Sequence, residues 1–313
     1  MTSEASTLAA RLRDRDLSAA PAALNLIENR TRADDVAALV REVGTEARGH
    51  VIGVTGPPGA GKSSLLSALV RAWRDAGRTV AVLAVDPSSK RSGGSLLGDR
   101  ARIEFDPADR GVLIRSTAAG GRLGGLAPAT RAAAQALAVA FDVVVIETVG
   151  VGQSETEVAE VADTVAVIVQ PGSGDALQFI KAGIMEVPDV LVVTKADLGD
   201  VALRSRRDLS AALRSLGARD TPVVAVSSVA PATGIDELVA ALDAHRASLD
   251  LPARRAEARR TSALADFAAE HGERGLRALG GRRGALRFLA EQEPGLDVAT
   301  LVERLEQRAE AAR

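Results

Sequence analysis

Apolar and polar positions divide this chain into three successive regimes. Over residues 4–47, Leu8, Leu12, Leu24, Leu26, Ile27, Val36, Leu39 and Val40 recur at helical intervals, with breaks expected around Pro21 and Thr31. From about 50 to 248, short apolar runs alternate with helical stretches. The runs, at 51–55, 79–85, 112–115, 143–147, 164–170, 190–194 and 222–227, are nearly continuous rather than alternating, as strands covered on both faces are. Helical periodicity fills 62–76, 127–140, 203–216 and 234–248 between them. This predicts an α/β fold, a doubly wound and mostly parallel sheet. Beyond Pro252 the chain turns Ala-, Arg-, Glu- and Leu-rich and helical, interrupted near Gly280-Gly281 and Pro294-Gly295. The expected organisation is a helical extension over 1–48, the α/β domain over 49–250 and a helical region over 251–313.

The first apolar run of the sheet leads into Gly56-Pro57-Pro58-Gly59-Ala60-Gly61-Lys62-Ser63, and a helical pattern follows at once. That is the G-x-x-x-x-G-K-[ST] phosphate loop in strand–loop–helix context. Its backbone N–H groups and the helix N-terminus favour phosphate oxygens. Lys62 is placed to reach the β- and γ-phosphates, and the Ser63 hydroxyl to ligate Mg²⁺. Only four of the 39 basic residues are lysine, namely Lys62, Lys90, Lys181 and Lys195. A compact point charge is therefore kept at few places in an arginine-rich chain.

Composition narrows the chemistry. The 313 residues carry a net charge of −2, so no global basic field points to nucleic acid. Cysteine is absent, which removes disulfides, thiolate metal sites and cysteine nucleophiles. His50, His245 and His271 stand too far apart for a metal-ligand motif. No secretory pattern opens the chain and no long uncharged apolar run crosses it, so a cytoplasmic protein that avoids membranes is expected.

Base identity is read from Thr194-Lys195-Ala196-Asp197 after a late strand, a match to [NT]-K-x-D. Asp197 can accept from guanine N1–H and the exocyclic amine, whereas adenine offers no donors at those edges. Such charge-assisted bonds are worth roughly 1.5–3 kcal/mol each, enough to separate GTP from ATP. The Lys195 stem can lie along the base. Thr194 stands where Asn is commoner, shortening the reach back to the phosphate loop. Ser227-Ser228, ending the next run, is expected to offer a backbone N–H to guanine O6.

Between these motifs lies Glu147-Thr148-Val149-Gly150, where ordinary GTPases carry Asp-x-x-Gly. Glu147 is the candidate metal-shell acid and Gly150 the γ-phosphate amide. Val151 occupies the place where some GTPases orient water with Gln, so slow intrinsic hydrolysis accelerated by a partner is expected. The polar segment from Asp86 to Asp99 carries acids at both ends, as a Mg²⁺- and γ-phosphate-sensing switch would. Residues 170–181, from Gln170 to Lys181, form a third candidate loop near the same strand ends.

Taken with Asp86-Pro87-Ser88-Ser89, Gly93-Gly94-Ser95-Leu96-Leu97-Gly98-Asp99, Glu147–Glu155, Gln170-Pro171-Gly172 and Gly183-Ile184-Met185-Glu186, these residues resemble the methylmalonyl-CoA mutase-associated GTPases of MeaB/ArgK type. The resemblance implies a GTPase that chaperones an adenosylcobalamin-dependent acyl-CoA mutase, gating cofactor loading and protecting or reactivating the enzyme. It implies a homodimer formed through the C-terminal helices. It also implies Mg²⁺ held by Ser63, Asp86, Asp99 and Glu147, with GTP or GDP as bound nucleotide. The candidate catalytic set is Lys62, Asp86, Glu147 and Gln153. The nucleotide-binding set is Gly56, Pro57, Pro58, Gly59, Ala60, Gly61, Lys62, Ser63, Ser64, Gly150, Thr194, Lys195, Asp197, Ser227 and Ser228. Ala176 and Phe179 depart from the family pattern in the third loop, which bears on the identity of the mutase. Three other readings stand beside this one: a metallochaperone GTPase of related fold, an ATP-dependent kinase or transport ATPase, and a GTP-binding scaffold with little turnover.

Overall fold

The computed structural model describes residues 3–29, 31–44, 47–86, 103–118, 128–148, 158–172 and 188–312. Its strands are β1 (His50–Thr55), β2 (Val80–Asp86), β3 (Val112–Ala118), β4 (Val143–Thr148), β5 (Thr164–Val169), β6 (Val190–Val193) and β7 (Val223–Ala225). They form a seven-stranded sheet in the order β3-β2-β4-β1-β5-β6-β7, parallel at every pairing. The described helices are α1 (Glu4–Arg13), α2 (Ala20–Glu28), α3 (Ala33–Val43), α4 (Lys62–Asp75), α5 (Pro128–Ala140), α6 (Asp200–Ser215), α7 (Ile235–Ser248), α8 (Leu251–Ala278), α9 (Gly281–Ala290) and α10 (Val298–Ala311).

The valine-rich strands follow from burial on both sides. Successive side chains point to opposite faces. Val51, Val144 and Val167 meet Leu12, Leu24, Leu39 and Leu137 of the N-terminal helices and α5. Ile52, Val145 and Ile168 meet Leu65, Leu69 and Trp73 of α4 and Leu238 of α7. Each fully buried leucine among them contributes roughly 1.5–3 kcal/mol. A third cluster holds α8, α9 and α10 together around Phe267, Leu276, Leu289 and Leu305.

All seven expected strands form, with shifted ends. The last is shorter than the apolar run, because Ser227 leaves the parallel ladder for an antiparallel bridge to Thr233. The first break among the N-terminal helices also moves. It lies between Arg13 and Leu17, and Pro21 instead occupies the first turn of α2, where its missing N–H costs nothing. Pro252 plays the same part in α8. One interruption has no strong sequence signal: Gly272 sits at φ 59° and ψ −163° inside α8.

At the N-terminal edge of the sheet the helical regions are tied down by polar groups. Asp163, 1% exposed, accepts from Val51 N and from Arg255, which reaches it at 2.6 Å from α8. Arg255 also donates to the carbonyls of Ala47 and Gly49. Beside them, His50 Nε2 lies 2.7 Å from Thr164 Oγ1, Thr164 Oγ1 lies 2.9 Å from His245 Nδ1, and His245 pairs with Asp189 at 3.2 Å. The opposite edge, where the strands end, is left to the loops that carry the motifs.

Candidate nucleotide site

The phosphate loop joins the end of β1 to the start of α4. Gly56 is required by space: a Cβ there would lie 2.1 Å from Ile168 O. Gly61 caps α4 in the left-handed region at φ 88°. Lys62, 7% exposed, folds back so that Nζ donates to Gly56 O at 2.6 Å and Pro57 O at 3.1 Å. Pro58, Gly59 and Ser64 face outward, while Ala60 is buried.

The acid side of the site comes from β4, separated from β1 by two strands in sequence but adjacent to it in space. Parallel register sets Glu147 opposite Val54 on one side and Ala84 on the other. That register brings Glu147, 4% exposed, to the phosphate loop, and Ser63 Oγ donates to its Oε1 at 3.3 Å. Two of the expected Mg²⁺ ligands thus converge, and both are hard oxygen donors suited to that ion. Asp86 ends β2 on the same sheet edge. Asp99, Gly150, Val151 and Gln153 lie outside the described residues, as do Lys90, Ala176, Phe179 and Lys181.

The base-reading turn follows β6. Thr194, 3% exposed, sits with Oγ1 2.6 Å from Ala60 O and 3.1 Å from Val169 O. The shortened side chain therefore still touches the phosphate loop, because the β5 and β6 ends lie close against it. Lys195 adopts φ 53° and donates from Nζ to Gln170 Oε1 at 2.6 Å. Asp197 stands exposed in a single 3-10 turn, Ala196–Leu198. Its Oδ1 accepts from Ser227 Oγ at 2.7 Å, and Ala196 N donates to Val226 O at 3.0 Å.

Ser227 thus differs from the expectation in how it acts. Its N–H is already bonded to Thr233 O at 3.0 Å, so of the Ser227-Ser228 pair only Ser228 can offer a backbone N–H to a ligand. The Ser227 hydroxyl holds the Asp197 carboxylate instead, a role that no spacing in the sequence marks. Thr55, 1% exposed, is another group the sequence did not single out. It ends β1 directly before the loop, and its hydroxyl has no hydrogen-bond partner among the described residues.

Known proteins resemble this chain in sequence and in fold. A Pyrococcus abyssi protein named as a GTPase is 40% identical over 259 residues, covering 80% of this chain and 78% of its own. The mouse methylmalonic aciduria type A homolog, a mitochondrial protein, is 44% identical over 160 residues, covering 50% of this chain and 38% of its own. Among solved structures, one titled LAO/AO transport system kinase superposes with TM-score 0.62 at 28% identity, covering 93% of this chain and 98% of that one. Helicobacter pylori HypB in complex with nickel, at 21% identity and TM-score 0.50, covers 68% of this chain and 94% of its own; it shares the fold alone. Over residues 20–274, which hold the phosphate loop, Glu147 and the base-reading turn, the sequence matches the methylmalonyl Co-A mutase-associated GTPase MeaB, and the chain belongs to that family of GTPases.

Proposed function

We propose that the chain binds GTP with Mg²⁺, hydrolyses it slowly alone, and uses nucleotide state to chaperone an adenosylcobalamin-dependent acyl-CoA mutase. In this reading it gates cofactor loading and protects or reactivates the mutase, and it acts in the cytoplasm as a homodimer built through residues 251–313. The observation that carries the nucleotide part is the convergence of Ser63 and Glu147 at 3.3 Å, on the sheet edge that also bears Thr194 and Asp197. The family match and the mouse relative's name support the mutase as partner.

The residues divide the work. The N–H groups of the phosphate loop, Lys62 and the start of α4 hold the phosphates. Ser63, Asp86, Asp99 and Glu147 would hold Mg²⁺, which when bound supplies positive charge beside the β- and γ-phosphate oxygens. Asp197, held by Ser227, retains acceptor sites for guanine N1–H and the exocyclic amine. The Ser228 N–H faces the guanine carbonyl, and the Lys195 stem flanks the ring. The γ-phosphate is assigned to Gly150 and part of the catalysis to Gln153, and the segment from Gln170 to Lys181 is assigned the relay of nucleotide state.

Single-turnover GTP hydrolysis, with and without an adenosylcobalamin-dependent methylmalonyl-CoA mutase, tests this reading. Marked stimulation is expected. GTP bound but turned over at one rate regardless of mutase would overturn the chaperone assignment, and ATP bound as tightly as GTP would overturn the guanine assignment.

A further inference from the structure

A cavity of about 90 Å³ lies away from the nucleotide site, where α3, α5, α8 and the start of α10 meet. A single water needs about 10–15 Å³ in such a measure, so the space suits a ligand of a few heavy atoms. Apolar groups such as Val51, Ala138 and Val161 form part of its wall, and three arginines, Arg131, Arg255 and Arg259, form another part.

The arginines are not equivalent. Arg131 is paired with Asp266 and Arg255 with Asp163. Arg259 pairs with no carboxylate among the described residues; it donates to the carbonyls of Leu296 at 3.0 Å and Pro294 at 2.5 Å. Burial, with the Arg255 and Arg260 charges beside it, lowers the Arg259 guanidinium from its ordinary range. Asp297 acts the other way. Ser262 lines the same cavity at 2% exposure, and its hydroxyl has no hydrogen-bond partner among the described residues. Val298 opens α10 at the wall, and the N-terminus of that helix is already capped by Asp297, which accepts from Thr300 N at 3.0 Å, so the anion-binding charge rests on Arg259. Glu160 is the one acid among the described lining residues and sets the side a negative group avoids.

We propose that this cavity binds a small oxyanion, a phosphate-like group or a short carboxylate, between the Ser262 hydroxyl and the Arg259 guanidinium. The charged group takes the Arg259 N–H donors left over from the two carbonyls and the free hydroxyl. A short apolar tail, where the ligand has one, lies against Val51 and Ala138. Because the walls come from the N-terminal helices, the sheet domain and the C-terminal helices, occupancy joins all three and stabilises the folded chain.

Thermal unfolding and titration calorimetry of the full chain, saturated with GDP and Mg²⁺, test the site. The probes are inorganic phosphate, acetate, malonate and chloride at matched ionic strength. A saturable rise in Tm is expected with phosphate, with the carboxylates, or with both, and not with chloride. Phosphate alone identifies a phosphoryl ligand, and carboxylates alone a carboxylic acid. The rise should persist in Lys62→Ala, which disables the phosphate loop. Affinity should fall at least tenfold in Arg259→Met and in Ser262→Leu, which fills the cavity. Ser262→Ala removes only the hydroxyl and should weaken binding severalfold while GDP affinity stays unchanged. An equal rise with chloride, or binding that survives the Ser262 and Arg259 changes but vanishes in Lys62→Ala, overturns the site. The test does not depend on the mutase assignment.

Discussion

Ser227 shows how much a single hydroxyl can decide. Its bond to Asp197 holds an exposed carboxylate in a one-turn loop whose backbone is tied to the sheet through the Ala196 amide. A side-chain bond to a charged acceptor is worth about 1.5–3 kcal/mol. Ser227→Ala should therefore weaken GTP binding roughly ten- to a hundredfold while preserving preference over ATP. Asp197→Ala should abolish the preference itself. Fluorescent-nucleotide titrations with both nucleotides separate the two outcomes. At the far end of β1, His50 is 1% exposed and burial lowers its pKa to about 4, against 6.5 for the unperturbed group. Between those values the unfolded chain binds a proton that the folded chain refuses. Stability from this group is thus complete above about 6.5 and lost as pH falls toward 4, to a total of about 3 kcal/mol. Urea unfolding at pH 7 and pH 5 should show that loss, and His50→Gln should reduce it.

At the scale of elements, the sheet was legible because parallel strands covered on both faces leave long valine runs, and no turn chemistry competes with that signal. The ends were less so. Pro21 looked like a helix breaker but starts a helix, since sequence alone does not separate the first turn from the interior. Gly272 interrupts α8 within a run of good helix formers. The site was legible where motif spacing fixes it: Gly56–Ser63, Glu147 and Asp197. The Ser227–Asp197 bond and the Lys195–Gln170 contact were not, because each joins side chains distant in sequence, and neither was the cavity beside Arg259 and Ser262, because its other walls come from distant segments. The pairing of α8 with the sheet edge belongs here too. Arg255→Met would leave Asp163 buried without its cation, at a cost of about 3–5 kcal/mol. Asp163→Asn added to that change should recover part of the loss in a denaturant titration.

For the whole molecule, the C-terminal helices are more than a passive appendage to the sheet. They supply the Arg255 that satisfies Asp163, Ala47 and Gly49, and the Arg259 wall of the cavity. Removal of residues 251–313 should lower the Tm of the remaining chain, whereas an independent tail would leave it unchanged; differential scanning calorimetry distinguishes these. No described helix is long and apolar enough to cross a membrane. The passage from the N-terminal helices into the sheet has one further consequence. Gly49 donates to Ala138 O at 2.7 Å, its carbonyl is held by Arg255, and a Cβ there would lie 2.4 Å from Phe141 O. Such a seam is a weld rather than a hinge. A protease should find no purchase at 47–50, and an inserted sequence there should cost the chain its fold, although the position looks on paper like the gap between two modules.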